Sequence, residues 1–314
     1  MPAPHSLITR WIFWPAAAGG TLIVTVLSLA AWYRTRDHSA RLLALRTGEI
    51  SARESLLADS AGYREISFTL KNGSGTLATG HLRLPLSASG PLPAVLIFGG
   101  QRTGERAAGL VSLDQPAVLC AMDYPDIPRF RGRLAEIPGT LYYLHHAAQE
   151  AVGMAFSALE YLCSRPEVDP GRVTVLGASF GVPFAAITAL DQRVKGLVLI
   201  YGGSSLEKII EWNLRKRIRS GALRAIASWL LGTLVSPYEP SFYLSRLESR
   251  PLLMVNSLDD QRIPPQFARK LFLCAQGPKE LVWLNGGHIH PSDKKLLDQL
   301  RRTISAWLES RGLL

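Results

Sequence analysis

The run VTVLGASFGVPFAA, from Val173 to Ala186, sets a serine between two glycines where an apolar strand gives way to helix-compatible residues. A serine hydroxyl is a weak nucleophile at neutral pH, so chemistry at Ser179 needs a base within hydrogen-bond reach and a third group to orient that base. The chain has to reverse within about three residues here, which predicts a sharp strand-to-helix turn with Ser179 driven towards positive φ. Gly177 and Gly181 have no Cβ to clash across such a turn, and Pro183 suits the first turn of the following helix. The N–H of Phe180 would then be free to face a developing oxyanion. A lone Gly-x-Ser-x-Gly is also compatible with an ordinary helix cap at Ser179, so the partners decide.

Two downstream segments supply partners in chain order. In MVNSLDDQRIPP, a strand ending at Val255 opens into a loop with Asp259 and Asp260. In LVWLNGGHIHPSD, a strand ending at Leu284 runs through Asn285, Gly286 and Gly287 to His288, with His290 close behind. His145 and His146 at a helix start, and His81 on an early hairpin, read as packing or surface residues.

With Gly177-Ala178-Ser179-Phe180-Gly181, the acid loop and Gly287-His288 in the order Ser, Asp, His, the chain resembles the α/β-hydrolase family from about Gly62 onward. The branch it resembles includes dienelactone hydrolases and prolyl-oligopeptidase-type esterases. The resemblance implies Asp260 as the acid, because Asp260-Gln261-Arg262-Ile263-Pro264 fits the family's Asp-x-x-hydrophobic-Pro; Asp259 is the reserve. It implies His288 as the base, because the family's histidine follows a glycine-containing turn. A second oxyanion donor would be the amide of Gly100 or Gln101 in Phe98-Gly99-Gly100-Gln101, where Phe98 departs from the histidine that the family often carries. The implied activity is acyl transfer through an acyl-enzyme on a small-molecule ester or thioester with an apolar acyl group, without metal or organic cofactor. An acyltransferase or peptidase using the same triad, and a catalytically inactive membrane-tethered binding protein, are the alternatives.

These residues need a scaffold, and the chain alternates as one. Strands are predicted at Glu65–Leu70 and Leu77–Leu84, joined through Asn72-Gly73-Ser74-Gly75, and then at Leu92–Phe98, Pro116–Met122, Arg172–Leu176, Val194–Tyr201, Pro251–Val255 and Glu280–Leu284. Helices are predicted at Leu141–Cys163 and about Ser292–Glu309. The fold class is therefore α/β, a mostly parallel eight-stranded sheet with helices on both faces. Residues 204–248 exceed one crossover; Leu206, Ile209, Ile210, Leu214 and Ile218 recur at helical spacing opposite Lys208, Arg215 and Arg219, and an apolar segment follows from Ala222 to Val235. They are expected to form a two-helix cap, either a lid over the sheet's carboxyl end or a decorated crossover.

The 314 residues, 47% hydrophobic and 19% charged, suit a large core and exclude a disordered chain. A net charge of +10 favours an anionic partner. With neither zinc spacing nor an RNA-binding aromatic motif, a specific nucleic acid is not expected. Cys120, Cys163 and Cys274 sit in apolar contexts and read as free thiols. Trp11–Tyr33 holds no charged residue and predicts a transmembrane signal anchor between an N-terminal tail (1–10) and a juxtamembrane helical linker (34–61), with the hydrolase domain at 62–314. A cleaved signal peptide ending near Ser28-Leu29-Ala30 is the competing expectation. Arg34, Arg36, Arg41 and Arg46 follow the span while Arg10 alone precedes it, which puts a single-pass protein's catalytic domain on the cytoplasmic side of the bilayer.

Overall fold

Along the strand Leu92–Phe98 the side chains divide by parity: Ala94, Leu96 and Phe98 enter one apolar layer, Val95 and Ile97 the other. That is the alternation of a strand buried on both faces, and it makes this segment the middle of a covered sheet. The computed structural model describes residues 20–22, 24–46, 49–60, 62–73, 75, 77–87, 90–126, 137–247 and 249–314. The chain divides into two units, Met1–His38 and Ser39–Leu314.

In the first unit the described residues between 20 and 35 are helical (α1). Among the described residues no helix is long and apolar enough to cross a membrane. The expected single-pass placement, with its bilayer partner and cytoplasmic-side domain, is corrected accordingly. Residues 11–19 and Ile23 of the expected span lie outside the described residues, as does the expected 1–10 tail.

The second unit begins with a short helix, α2 (Ser39–Leu43), whose Leu42 is buried. The expected helical linker then gives way to a strand, β1 (Ile50–Ser60), antiparallel to β2 (Tyr63–Asn72). The sheet accordingly has nine strands rather than eight. Almost every residue of β1 is exposed, so burial imposes no alternation on its sequence, and a bulge between Leu56 and Ala58 breaks what register there is. β2 pairs with β3 (Leu77–Pro85) as the expected hairpin, closed by a bond from the Gly75 amide to the Asn72 carbonyl at 2.9 Å.

The remaining strands are β4 (Leu92–Phe98), β5 (Val118–Met122), β6 (Val168–Ala178), β7 (Val194–Ile200), β8 (Leu252–Ser257) and β9 (Lys279–Leu284), in the order β1-β2-β3-β5-β4-β6-β7-β8-β9. From β5 to β9 all neighbours are parallel; β1, β2 and β3 extend the sheet antiparallel at one edge. The helices α3 (Ala107–Leu110), α4 (Ile137–Cys163) and α5 (Val182–Thr188) precede the cap helices α6 (Leu206–Leu214) and α7 (Gly221–Val235); α8 (Pro240–Leu244), α9 (Pro265–Cys274) and α10 (Lys294–Ser310) follow.

One face of the sheet is covered by α4, α5, α8 and α9, the other by α3 and α10. Leu296, Leu300, Ile304 and Leu308 recur every four residues, giving α10 one buried stripe, and the Asp293 carboxylate caps its start by accepting the Leu296 amide at 3.0 Å. Both cap helices fall within the expected insertion. Its two roots are joined by Glu239, whose carboxylate accepts the amides of Ser205 and Leu206 at 3.0 and 2.8 Å.

Candidate active site

The parallel strands point their carboxyl ends the same way, so the loops after β4, β6, β8 and β9 meet at one edge. β6 ends at Ala178, and a single tight turn, Ser179–Gly181, leads into α5. Ser179 has φ 53°, in the left-handed region that costs a non-glycine residue about 1–2 kcal/mol. The glycines explain how the turn closes. A Cβ on Gly177 would lie 2.6 Å from the Ala185 Cβ and 2.9 Å from the Gly181 carbonyl, and one on Gly181 would run into the Phe98 carbonyl.

The structure brings Ser179, His288 and Asp260 into one line. Ser179 Oγ lies 2.8 Å from His288 Nε2, and His288 Nδ1 lies 2.8 Å from Asp260 Oδ2. With the carboxylate ionised, the proton of a neutral His288 belongs on Nδ1, which leaves Nε2 free to accept from the serine. Asp260 is buried, and its other oxygen, Oδ1, accepts the amides of Arg262 and Ile263 at 2.7 and 3.0 Å. Those two bonds fix the carboxylate independently of the imidazole.

Asp259 points elsewhere: its Oδ2 meets the Gly286 amide at 3.5 Å, bracing the turn that delivers His288. The Ser257 hydroxyl bonds the Gly286 carbonyl and accepts the Asp259 amide at 3.1 Å, so the β8 and β9 loops hold each other. Gly286 has φ 114°, which lets that turn form. His290 bonds Ser292 through Nδ1 at 2.7 Å, His146 packs against the Tyr142 ring, and His81 pairs with Glu65 at 2.7 Å. None of these three is in the line.

Across from Ser179 lies the loop after β4. The Gly100 carbonyl is taken up within its own turn by Thr103 Oγ1 and the Thr103 amide, both at 2.9 Å. Among the described residues the amides of Gly100 and Gln101 have no acceptor, and both residues border the same space as Ser179 and Phe180. The loop is held by Tyr124, whose hydroxyl donates to the Gly99 carbonyl at 2.7 Å and whose ring meets that of Phe180 edge-on, centroids 5.1 Å apart.

Tyr124 and Tyr201 are the residues that sequence reasoning missed. Tyr201 follows β7, is fully buried, has φ 53°, and sets its ring edge-on to His288 at 5.4 Å. Burial, followed by the charges of Asp260 and Asp293, pushes its phenol up to about 12, so it stays protonated. The conformation of Tyr201 carries no local sequence signal: a bulky residue adopts positive φ only because tertiary packing demands it. Burial raises the Cys120 thiol, and raises Cys163 to about 11, so neither competes as a nucleophile.

Ser179 and His288 open into a cavity of about 990 Å³. Leu206, Ile209, Leu231, Leu234 and Val235 of the cap roof it, and Leu144 and Ala148 of α4 wall it. Two bonds tie the cap to the acid loop: Trp212 Nε1 donates to the Gln261 carbonyl at 2.9 Å and Asn213 Nδ2 to the Arg262 carbonyl at 2.8 Å.

Solved structures similar to this chain in fold include an acetyl xylan esterase from Paenibacillus sp. R4, with a TM-score of 0.63 and 19% identity, covering 87% of this chain and 98% of that one. Acetyl xylan esterase 1 from Thermoanaerobacterium sp. JW/SL YS485 matches with a TM-score of 0.60 and 19% identity, over 84% and 90% of the two chains. This is the α/β-hydrolase fold. In sequence, the chain is 26% identical over 231 residues to an uncharacterized protein of Mycobacterium tuberculosis, MT2364 in strain CDC 1551 and Rv2307c in strain H37Rv. That match covers 70% of this chain and 73% of the relative. No protein-family model matches.

Proposed function

We propose that the protein is a serine hydrolase that cleaves an ester or thioester with an apolar acyl group, through an acyl-enzyme on Ser179. The observation that carries this reading is the unbroken hydrogen-bonded line from Ser179 Oγ through His288 to Asp260, with both links at 2.8 Å. Within the fold, Gly177 to Gly181, the Asp260 loop and Gly287-His288 favour the dienelactone hydrolase and prolyl-oligopeptidase-type esterase branch. The solved neighbours named as esterases fit the same reaction class.

Each step is assigned to one group. Ser179 Oγ attacks the carbonyl carbon while His288 Nε2 takes its proton; Asp260 holds the ring through Nδ1–H and stabilises the imidazolium. The Phe180 amide, with that of Gly100 or Gln101, donates to the oxyanion. The imidazolium then protonates the departing oxygen or sulfur, and the acyl group stays on Ser179. A water, deprotonated by the same imidazole, attacks the acyl-enzyme and releases the acid. The cavity is at the upper end of the roughly 300–1,000 Å³ usual for ligand pockets, and its leucine- and isoleucine-lined roof suits an apolar acyl chain.

Fluorophosphonate labelling of the full chain, read by mass spectrometry, tests the proposal. Label on Ser179, absent in Ser179→Ala and His288→Ala, together with turnover of an ester and thioester chain-length series, is the expected result. A folded wild-type chain that takes no label would instead favour a binding protein built on the same fold.

A further inference from the structure

The cavity has a sided electrostatic character that the triad does not require. Among the described residues that line it there are five arginines (Arg102, Arg106, Arg217, Arg262 and Arg301) and not one aspartate or glutamate. Asp260 lies behind His288 and does not reach the lining. Two of the five are already engaged: Arg301 pairs with Asp114 and Asp298, and Arg106 donates to the Arg102 carbonyl at 2.6 Å. The side chains of Arg102, Arg217 and Arg262 have no acceptor among the described residues, and all three residues are exposed, so they belong to the cavity's mouth.

They come from three segments: the loop after β4, the turn after α6, and the acid loop. The bond from Asn213 to the Arg262 carbonyl sets the last two side by side. A single exposed arginine is an ordinary solvated side chain. Three exposed arginines lining one cavity, with no carboxylate among its described lining residues to neutralise them, form a field that attracts an anion, and each guanidinium presents donors matched to a phosphate or carboxylate.

Resting on the serine-hydrolase reading, we propose that the substrate carries a phosphate or carboxylate on its leaving group, held at the mouth by Arg217 and Arg262 with Arg102 facing them. The apolar roof takes the acyl chain inward, and the arginines lie on the solvent side, where the leaving group departs. The anion therefore contributes to binding before acyl transfer and leaves with the alcohol or thiol, while the acyl-enzyme keeps only apolar contacts.

The test uses matched thioesters with the full chain: S-butanoyl-phosphopantetheine against S-butanoyl-pantetheine, and S-butanoyl-N-acetylcysteine against S-butanoyl-N-acetylcysteamine. The expected result is that kcat/KM of at least one anionic member exceeds that of its neutral partner by about tenfold or more at low salt, with the ratio falling as salt is added. The first pair reports a phosphate, the second a carboxylate. In Arg217→Gln/Arg262→Gln the ratio should fall towards one, whereas Lys216→Gln, which removes a neighbouring cation outside the cavity lining, should leave it unchanged.

A ratio near one in wild type for both pairs overturns the proposal, as does a ratio that survives the double substitution. A preference confined to an acyl-side anion, probed with mono-p-nitrophenyl glutarate against p-nitrophenyl butyrate, overturns the leaving-group placement. Fluorophosphonate labelling of the same samples separates the two levels: labelled enzyme without anion preference defeats this inference alone, and unlabelled wild type defeats the serine-hydrolase reading and this inference with it.

Discussion

The loops that carry Asp260 and His288 and the edge strand β1 are both polar and carry charge, yet they are held in opposite ways. Within the loops the key groups are buried or tied down: Asp260 is buried and takes two amides, and the Ser257 hydroxyl laces β8's loop to β9's. β1 has one paired side, nearly every residue exposed, and its two leucines, Leu56 and Leu57, 66% and 59% exposed. The difference teaches that a polar residue's effect follows its number of fixed partners in a dry environment, not its charge.

The sharpest way to break that contrast lies within the acid loop itself, where two adjacent aspartates differ only in partners. Asp260→Asn should lower kcat by about 10³–10⁴-fold, because the wrong imidazole tautomer is then favoured. Asp259→Asn should stay within about threefold, since it loses one long bond to the Gly286 amide. Steady-state kinetics on one good ester decide this, and equal losses would assign the acid to the loop as a whole.

Next in size is the turn. Gly181→Ala drives a methyl into the Phe98 carbonyl, and backbone cannot step aside as a side chain would. A loss of about 2–3 kcal/mol is expected, as for an overpacked core, read by urea unfolding. Because the Phe180 amide moves with this turn, turnover should fall more than the folded fraction does. Activity that tracks only the folded fraction would mean the turn is a packing device alone.

How much of this was legible follows from the same contrast. Burial on both faces stamped β4 and the other central strands into the sequence as short apolar runs, and the Gly-x-Ser-x-Gly spacing follows from the room each glycine lacks: a Cβ at Gly177 would meet Ala185 and the Gly181 carbonyl, and one at Gly181 the Phe98 carbonyl. The order of serine, acid and histidine needed only the strand ends. The choice between Asp259 and Asp260 was open to residue type and closed only by a family pattern, because amide acceptors are set by loop geometry. Tyr124, Tyr201 and the mouth arginines were invisible: each draws its place from segments distant in the chain. The helical expectation at β1 failed because ISARESLLADS has alternating charge and paired leucines but no burial to impose a period of two.

What holds β1 beyond its ladder is then a small, measurable matter. Glu54 reaches off the strand to Arg165 Nη1 at 2.5 Å, just past α4, and accepts the Tyr161 hydroxyl at 2.7 Å from the last turn of α4. Glu54→Ala should cost about 1 kcal/mol, within the range for one partly exposed charged contact, and should speed amide exchange in β1 ahead of β2. Leu56→Ser and Leu57→Ser should each stay within about 0.5 kcal/mol, as exposed substitutions do. If the leucine changes instead outweigh Glu54→Ala, those side chains are covered in solution, and the strand is held by apolar contact after all. If all three are silent, backbone pairing with β2 alone suffices, and the contrast with the acid loop becomes one between a ladder that needs no side chains and a site whose carboxylate and amides depend on each other.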